Sequence, residues 1–570
     1  MELEKAASSA ENPRQREVLT VLSLAASPVL DADDWANPFK PAFNLGGRRS
    51  VVPADLQPAH LDLLGEVVSH IEQPSLRGRV ADILWLADRS DLDHLGTAID
   101  AYRSSPLETD AWLQDGRNQW RRAFELATRR GGAERERTKE MTEALRVRVL
   151  AGNADDRFVL AEIASVLGDF ARLTPDERRA IADHLAGVAA TASAQENYGL
   201  ARRLEREAAE WFGAASDNDA VLRCKVRIAD AYFADASLRR SSGQPASSAA
   251  HFMEKAVSTL RVLPRKFRDQ EDLDGRLADW RAQLADLRRS TVDEMLVIES
   301  ESTDIAGYVG AARRQVRVSD PLEALVRLSF LQSITDCKKA RIDAETRVRE
   351  SFVYQISGRT SYSEDARKIA TTLPTVGSSG VDEDVVRAEM IQAFGIRIVV
   401  ACQGLIHPAL EVVAFEHRLD QAFFLDLCRD APVVPQEQER LWARGLLHGI
   451  HGDFASGAFI LAPLIENLVR SLLKVSGVYT LLTDERGLET EKGLSALLKM
   501  PEAEAVLGAD LVFELRALLV DQEGPNLRNN LSHGLVSDAG AWSCNSMYLW
   551  WLCLGLVVKP VYQMRRGMAG

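Results

Sequence analysis

Leu76-Arg-Gly-Arg-Val-Ala-Asp-Ile-Leu-Trp-Leu-Ala87 decides the fold class of this chain. Its apolar residues Leu76, Val80, Ile83, Leu84 and Ala87 fall at i, i+4, i+7, i+8 and i+11, the spacing of one face of a helix. The helical period starts at Ala59 and persists. Thr97–Arg103 and Asp110–Arg129 carry it to a break at Gly131-Gly132, and the charged run Glu134–Glu143 opens the next helix. Upstream, residues 1–12 read as frayed, and Asp31–Pro58, rich in Pro, Gly and Asp, reads as an extended or looped lead-in. No segment combines sustained period-2 alternation with β-branched residues, so the expectation is an all-α chain.

Downstream, Phe158–Leu167, Asp176–Ala192, Glu196–Phe212, Asp219–Arg239, Ala249–Leu260 and Glu271–Arg289 are successive amphipathic segments, read as antiparallel helices. Ala229-Asp-Ala-Tyr232 and Met253-Glu-Lys-Ala256 resemble the small-residue and aromatic packing of tetratricopeptide-type helix pairs. The 34-residue period is not clean, so the region reads as an irregular solenoid or bundle, either a scaffold or a concave surface for a protein regulator. Ser357–Gly380, with Pro374 and Gly377-Ser-Ser-Gly380, reads as a linker or flexible loop. Helices are expected at Asp384–Cys402, His407–Cys428, Glu437–Gly449, Phe454–Val475, Gly493–Lys499 and Ala503–Val520, with a loop over 476–490. The expected divisions are 1–135, an N-terminal helical domain; 136–350, a repeat-like region; 351–380, the linker; and 381–570, a C-terminal helical bundle.

Composition narrows the function. At 570 residues the chain exceeds what one core supports. Its 46% hydrophobic and 27% charged residues are those of an ordinary globular protein. A net charge of −14 repels polyanions at long range and argues against broad nucleic-acid binding, while leaving room for a local basic pocket. Over 520–570 the four cations Arg528, Lys559, Arg565 and Arg566 outnumber the three carboxylates Asp521, Glu523 and Asp538. Six cysteines without a CxxC pair fit a reduced, cytoplasmic protein and supply no zinc or disulfide framework. There is no HExxH, and no metal or other cofactor is expected. The N-terminus has no apolar signal region, and the mainly apolar run Met547–Val558 is too short to span a bilayer. Its aromatic cluster, Trp542, Tyr548, Trp550 and Trp551, calls for burial, with a partner subunit as one candidate.

The chemistry concentrates in Gly-Pro-Asn-Leu-Arg-Asn-Asn-Leu-Ser-His-Gly-Leu, residues 524–535. Pro525 presets a turn and Asn526 is a favourable N-cap, which places Leu527, Arg528 and Asn529 in a first helical turn. An arginine there opposes the helix dipole at a cost of about 0.3–1 kcal/mol, yet the free N–H groups of a helix start suit an anion, and a guanidinium beside them makes a phosphate clamp. Asn529 and His533 share a face at i, i+4. Arg528 and His533 lie roughly 140° apart at 3.6 residues per turn, so they converge only if the arginine folds round or a second copy completes the site. Leu527, Leu531 and Leu535 form a packing stripe, and Gly534 allows close backbone approach. An imidazole can move the proton of a ribose 2′-OH and a guanidinium can stabilise the phosphorane, without metal. The plainer reading is a capped helix whose His533 bonds a neighbour. Glu466 and Arg470, at i, i+4, read as an intrahelical ion pair or as a cleft lining. His448 and His451 are a possible metal pair without an evident third ligand.

Arg528-Asn-Asn-Leu-Ser-His533 resembles the R-polar-xxx-H signature of the HEPN superfamily, compact helical bundles, and the likeness extends over about 455–555, including Pro463-Leu-Ile-Glu-Asn-Leu-Val-Arg470. It is that of a bacterial domain of unknown function at the C-terminus of a large helical protein. The resemblance implies a metal-independent endoribonuclease, with Arg528 and His533 catalytic, Asn529 orienting, and Asn530, Glu466 and Arg470 in support. It also implies a homodimer through the C-terminal domain whose two motif helices form one cleft, products ending in a 2′,3′-cyclic phosphate, and a role as a toxin or anti-phage effector. Some members only bind nucleotides or partners, so a noncatalytic interaction scaffold is the second expectation.

Overall fold

A computed structural model describes residues 2–45, 48–130, 134–296, 304–351, 359–362, 366–372 and 382–567. The structure is 73% helical, as the sequence period requires, and among the described residues the strands are four isolated antiparallel pairs. The chain divides into two compact units, residues 1–295 and 296–570. Residues 304–350, read from sequence with the repeat-like region, lie in the second unit, where Ala312, Val316, Leu325 and Ala344 join its core. The Gly131-Gly132 break and most of the linker, 352–358, 363–365 and 373–380, lie outside the described residues. The described part between them is not featureless: Arg359–Tyr362 pairs antiparallel with Lys368–Thr372.

In the first unit, the quoted stretch lies in the Pro74–Ala87 helix. Val80, Ile83 and Leu84 are buried as the period demands, whereas Ala87 is exposed. The helix also buries Asp82, on the opposite side. Arg122 binds it with Nε and Nη2 at 2.9 and 3.0 Å, both side chains fully buried, so the carboxylate is retained by a bidentate partner. Gly78 lets the next helix, Leu92–Arg103, approach closely: a Cβ there would lie 2.9 Å from the Tyr102 ring. Residues 2–9 are helical, not frayed. The lead-in, expected as extended or looped, carries the strand pair Asn44–Leu45 with Arg48–Arg49, and its Phe39–Lys40 pairs with Val29–Leu30 just before it.

The repeat-like helices are Pro175–Ala194, Tyr198–Ala214, Asn218–Ser241, Ala246–Arg261 and Leu273–Asp293, each packing on its successor in turn. One corner recurs. Glu196 and Ser216 adopt positive φ, and the following Asn197 and Asp217 cap the next helix by accepting from the N–H of Leu200 and Ala220. Both corners close with the same long backbone bond, Asn197 N–H to Ala192 O and Asp217 N–H to Phe212 O, each 2.9 Å. Repetition of a corner with unequal helices makes the array irregular.

The second unit is built around its last helix, Cys544–Gly567. Tyr548, Trp550 and Trp551 are buried within the unit. Trp550 Nε1 donates to Leu446 O and Trp551 Nε1 to Leu328 O, each at 2.9 Å, and Tyr548 Oη donates to buried Glu514. Gly449 makes room for the Trp550 ring. Burial of these three aromatics is complete within the unit, whereas Trp542, the fourth of the cluster, is 58% exposed. Phe454–Val475 is one helix as expected. The Glu383–Ala401 helix runs through a π turn, Cys402–Ile406, into His407–Glu416 without the expected break. Gly508, at φ +83°, divides the expected 503–520 helix into Pro501–Leu507 and Ala509–Leu519. Within the expected 476–490 loop, Leu481–Thr483 pairs with Glu489–Glu491. Two helical stretches, Glu383–Glu416 and Asp538–Arg566, are long and apolar enough to cross a membrane, and 56% and 72% of their apolar windows are buried in the structure, as in core helices.

Candidate functional site

The segment 524–535 is held against two helices. Gly524 is required by contact: a Cβ would sit 2.1 Å from Ala517 O of the Ala509–Leu519 helix. The motif helix is short, Leu527–Ser532, and Leu527 and Leu531 bury it against Phe454–Val475 and Ala509–Leu519. Leu535, expected on the same stripe, is 52% exposed because the helix has ended. The ending is a Schellman turn: Gly534 at φ +64° places its N–H on Leu531 O at 3.2 Å, and Leu535 N–H reaches Asn530 O at 2.8 Å. Gly534 serves this conformation, not close approach, since a Cβ there would meet nothing within 4 Å.

Asn526 precedes the helix as expected but does not cap its backbone. It adopts φ +48°, and its Oδ1 accepts from Asn529 Nδ2 at 2.7 Å. Asn529 Oδ1 in turn accepts from Arg528 Nη1 at 3.2 Å, which makes Asn529 an orienting side chain for the arginine. Asn530 Nδ2 donates to Pro525 O at 3.0 Å and fastens the turn.

Arg528 also meets Glu466, Nη2 to Oε2 at 2.7 Å. Glu466 Oε1 accepts from Arg470 Nη2 at 2.8 Å, so the expected intrahelical pair is present and extends to the motif. Arg470 continues to Glu491 Oε2 at 3.2 Å, donates to Lys492 O at 2.9 Å, and Glu491 Oε1 meets Lys474 at 2.5 Å. The Lys474 hydrogen bond holds the Glu491 carboxyl below the usual range. The misplaced first-turn arginine is thus offset by a carboxylate from another helix, and a six-residue helix has only a short dipole to oppose it. Glu491 was missed because nothing local in the sequence marks a residue of the Glu489–Glu491 strand as a partner of the motif, and Lys474, one turn beyond Arg470 on the same helix, joins the network only through it. Three cations, Arg470, Lys474 and Arg528, face two carboxylates, Glu466 and Glu491, leaving a local excess of one positive charge on an acidic protein.

His533 stands at the C-terminal end of the motif helix and is exposed, its imidazole making no hydrogen bond or ion pair with a described residue. Arg528 and His533 are five residues apart, about 7.5 Å along the axis at 1.5 Å per residue, and the structure brings Arg528 to Glu466. His448 lies elsewhere, Nδ1 2.9 Å from Asp453, the N-cap of Phe454–Val475, while His451 is exposed. Among the described residues no group of three or more His, Cys, Asp or Glu is arranged to hold a metal ion.

Residues 1–139 match the family model described as "Domain of unknown function (DUF7380)". That span contains none of the candidate site residues. No curated protein matches the chain. Among solved structures, one titled "Circular tandem repeat protein with novel repeat topology and enhanced subunit contact surfaces" aligns over 100% of both chains at 13% identity, with a TM-score of 0.18. A similarity of that size carries no argument about fold or function.

Proposed function

We propose that the C-terminal unit is a metal-independent endoribonuclease of HEPN type. The observation that carries this reading is an exposed imidazole, His533, at the end of the short helix whose first turn holds Arg528 in a cluster of ion pairs. Arg528, oriented by Asn529, would bind the scissile phosphate and stabilise the phosphorane. His533 would take the 2′-OH proton or protonate the leaving 5′-oxygen. The 2′,3′-cyclic phosphate follows from attack by the neighbouring hydroxyl. A homodimer that sets two motif helices face to face would supply both groups to one phosphate across the roughly 7.5 Å separating them on one helix. The biological setting that fits such an enzyme is a cytoplasmic toxin or anti-phage effector, with the N-terminal helices as the docking surface of a protein regulator.

A specific observation favours a second reading, a noncatalytic nucleotide- or protein-binding scaffold: Glu466 already engages Arg528. Incubation of purified protein with RNA in EDTA separates the two. The ribonuclease reading expects cleavage to cyclic-phosphate ends, reduced at least about 100-fold by His533→Ala and by Arg528→Ala. Equal cleavage by all three proteins, or none by any, removes it.

A further inference from the structure

Two of the six cysteines meet. Cys402 opens the π turn Cys402–Ile406, and Cys544 begins the last helix. Although 142 residues apart, Cys402 Sγ donates to the backbone carbonyl of Cys544 at 3.3 Å. Cys402 is buried and Cys544 half-buried. π turns are rare within helices and concentrate at functional positions. This one begins at the residue whose side chain meets the start of the final core helix.

The other four thiols differ. Cys224, Cys428 and Cys553 are buried, and burial raises each of them. Cys337 is half-buried like Cys544, yet burial and the nearby carboxylate of Asp510 raise it too. Cys544 is the one lowered, to about 7, with the adjoining Cys402 thiol as the largest cause. A thiolate with partial access to solvent, next to a second thiol, is the arrangement of a peroxide-sensitive pair.

We propose that Cys544 and Cys402 form a reversible disulfide, with Cys544 meeting a hydroperoxide and Cys402 resolving the product. In the first step the Cys544 thiolate sulfur attacks one oxygen of hydrogen peroxide. The S–O bond forms, the O–O bond breaks, and hydroxide leaves and takes up a proton, giving a sulfenic acid and water. In the second step the Cys402 sulfur attacks the sulfenic sulfur. The S–S bond forms, the S–O bond breaks, and the departing hydroxide combines with the Cys402 proton as a second water. The two sulfurs lose two electrons and the peroxide gains them. A dithiol returns two electrons and two protons and restores both thiols. The bond would tie the Glu383–Ala401 helix, at its π turn, to the first residue of the last helix, eleven residues beyond His533. The proposal does not depend on the ribonuclease reading.

The test uses the full-length protein. Reduced protein is exposed briefly to hydrogen peroxide, its free thiols are alkylated, and it is digested without reduction for mass spectrometry. Peptides containing Cys402 and Cys544 are expected joined, two hydrogens lighter than the separate pair, and released by dithiothreitol. In the reduced protein at pH 7, Cys544 is expected to alkylate at least about tenfold faster than Cys337. In Cys402→Ala the joined peptide disappears and dimedone traps a sulfenic acid on Cys544. Because the wild-type cross-link decides the matter, a poorly folded variant does not blunt the test. Peroxide that oxidises wild-type Cys544 without joining it to Cys402, or alkylation of Cys544 no faster than that of Cys337, overturns the proposal.

Discussion

Glu466 holds two arginines from two helices, Arg470 at 2.8 Å and Arg528 at 2.7 Å, with a carboxylate that is itself largely buried. Removing one charge from such a group leaves its partners without compensation. Glu466→Gln is therefore expected to cost about 1–3 kcal/mol in urea unfolding of the C-terminal unit; an unchanged midpoint would show that solvent already screens both guanidinium groups. Glu207 presents the opposite case. Burial in the Tyr198–Ala214 helix pushes its carboxyl up to about 7, with Glu210 and Asp169 adding to the effect and Arg203 and a Trp211 hydrogen bond opposing it. A carboxyl raised in the folded state stabilises the fold fully below its unfolded value. That contribution is lost as pH rises from about 4.5 to about 7, because the buried group is forced to ionise. Glu207→Gln is expected to flatten the fall in stability over that window and to gain roughly 1–3 kcal/mol at pH 8. Parallel stability–pH curves for both proteins would contradict this.

At the scale of elements, the recurring corner sets the path of the repeat-like helices. Ser216 and Glu196 occupy positive φ where glycine has no steric cost, and a side chain there costs roughly 1 kcal/mol. Ser216 is exposed and its side chain is not needed for the cap, which Asp217 supplies. Ser216→Gly is expected to stabilise the first unit by ~0.5–1 kcal/mol, read as a higher thermal midpoint. A lower midpoint would mean that the backbone entropy of glycine outweighs the relief of strain. The same reasoning accounts for the motif helix. Its six residues are bounded by Asn526 and Gly534, both at positive φ, and it persists because Leu527 and Leu531 pack it onto longer neighbours.

At the scale of the whole molecule, each compact unit closes its own core. The aromatic residues of the last helix find hydrogen-bond acceptors in Leu446, Leu328 and Glu514 of the same unit. A fragment starting at residue 304 and carrying the second unit alone is accordingly expected to show helical circular dichroism and one cooperative melt. A gradual, noncooperative loss of signal would indicate that this core is incomplete without the first unit.

Much of this protein was legible without coordinates. The helical period over 76–87, the successive amphipathic segments from 158 to 289 and the Phe454–Val475 helix were all readable, because a local pattern of 3.6 residues needs no distant partner. The Glu466–Arg470 pair was legible for the same reason, being one turn apart on one helix. The strand pairs at 359–372 and 481–491 escaped notice, since strands of three to five residues carry too little alternation to stand out. Buried Asp82 was invisible because its bidentate partner, Arg122, lies 40 residues away. The sequence by itself determined the all-α class and singled out Arg528 and His533 as candidate residues. Only the tertiary structure decided which partners they have. It gave Arg528 to Glu466, left His533 exposed, and buried three of the four C-terminal aromatics within their own unit, because ion pairs and close packing join residues that are remote along the chain.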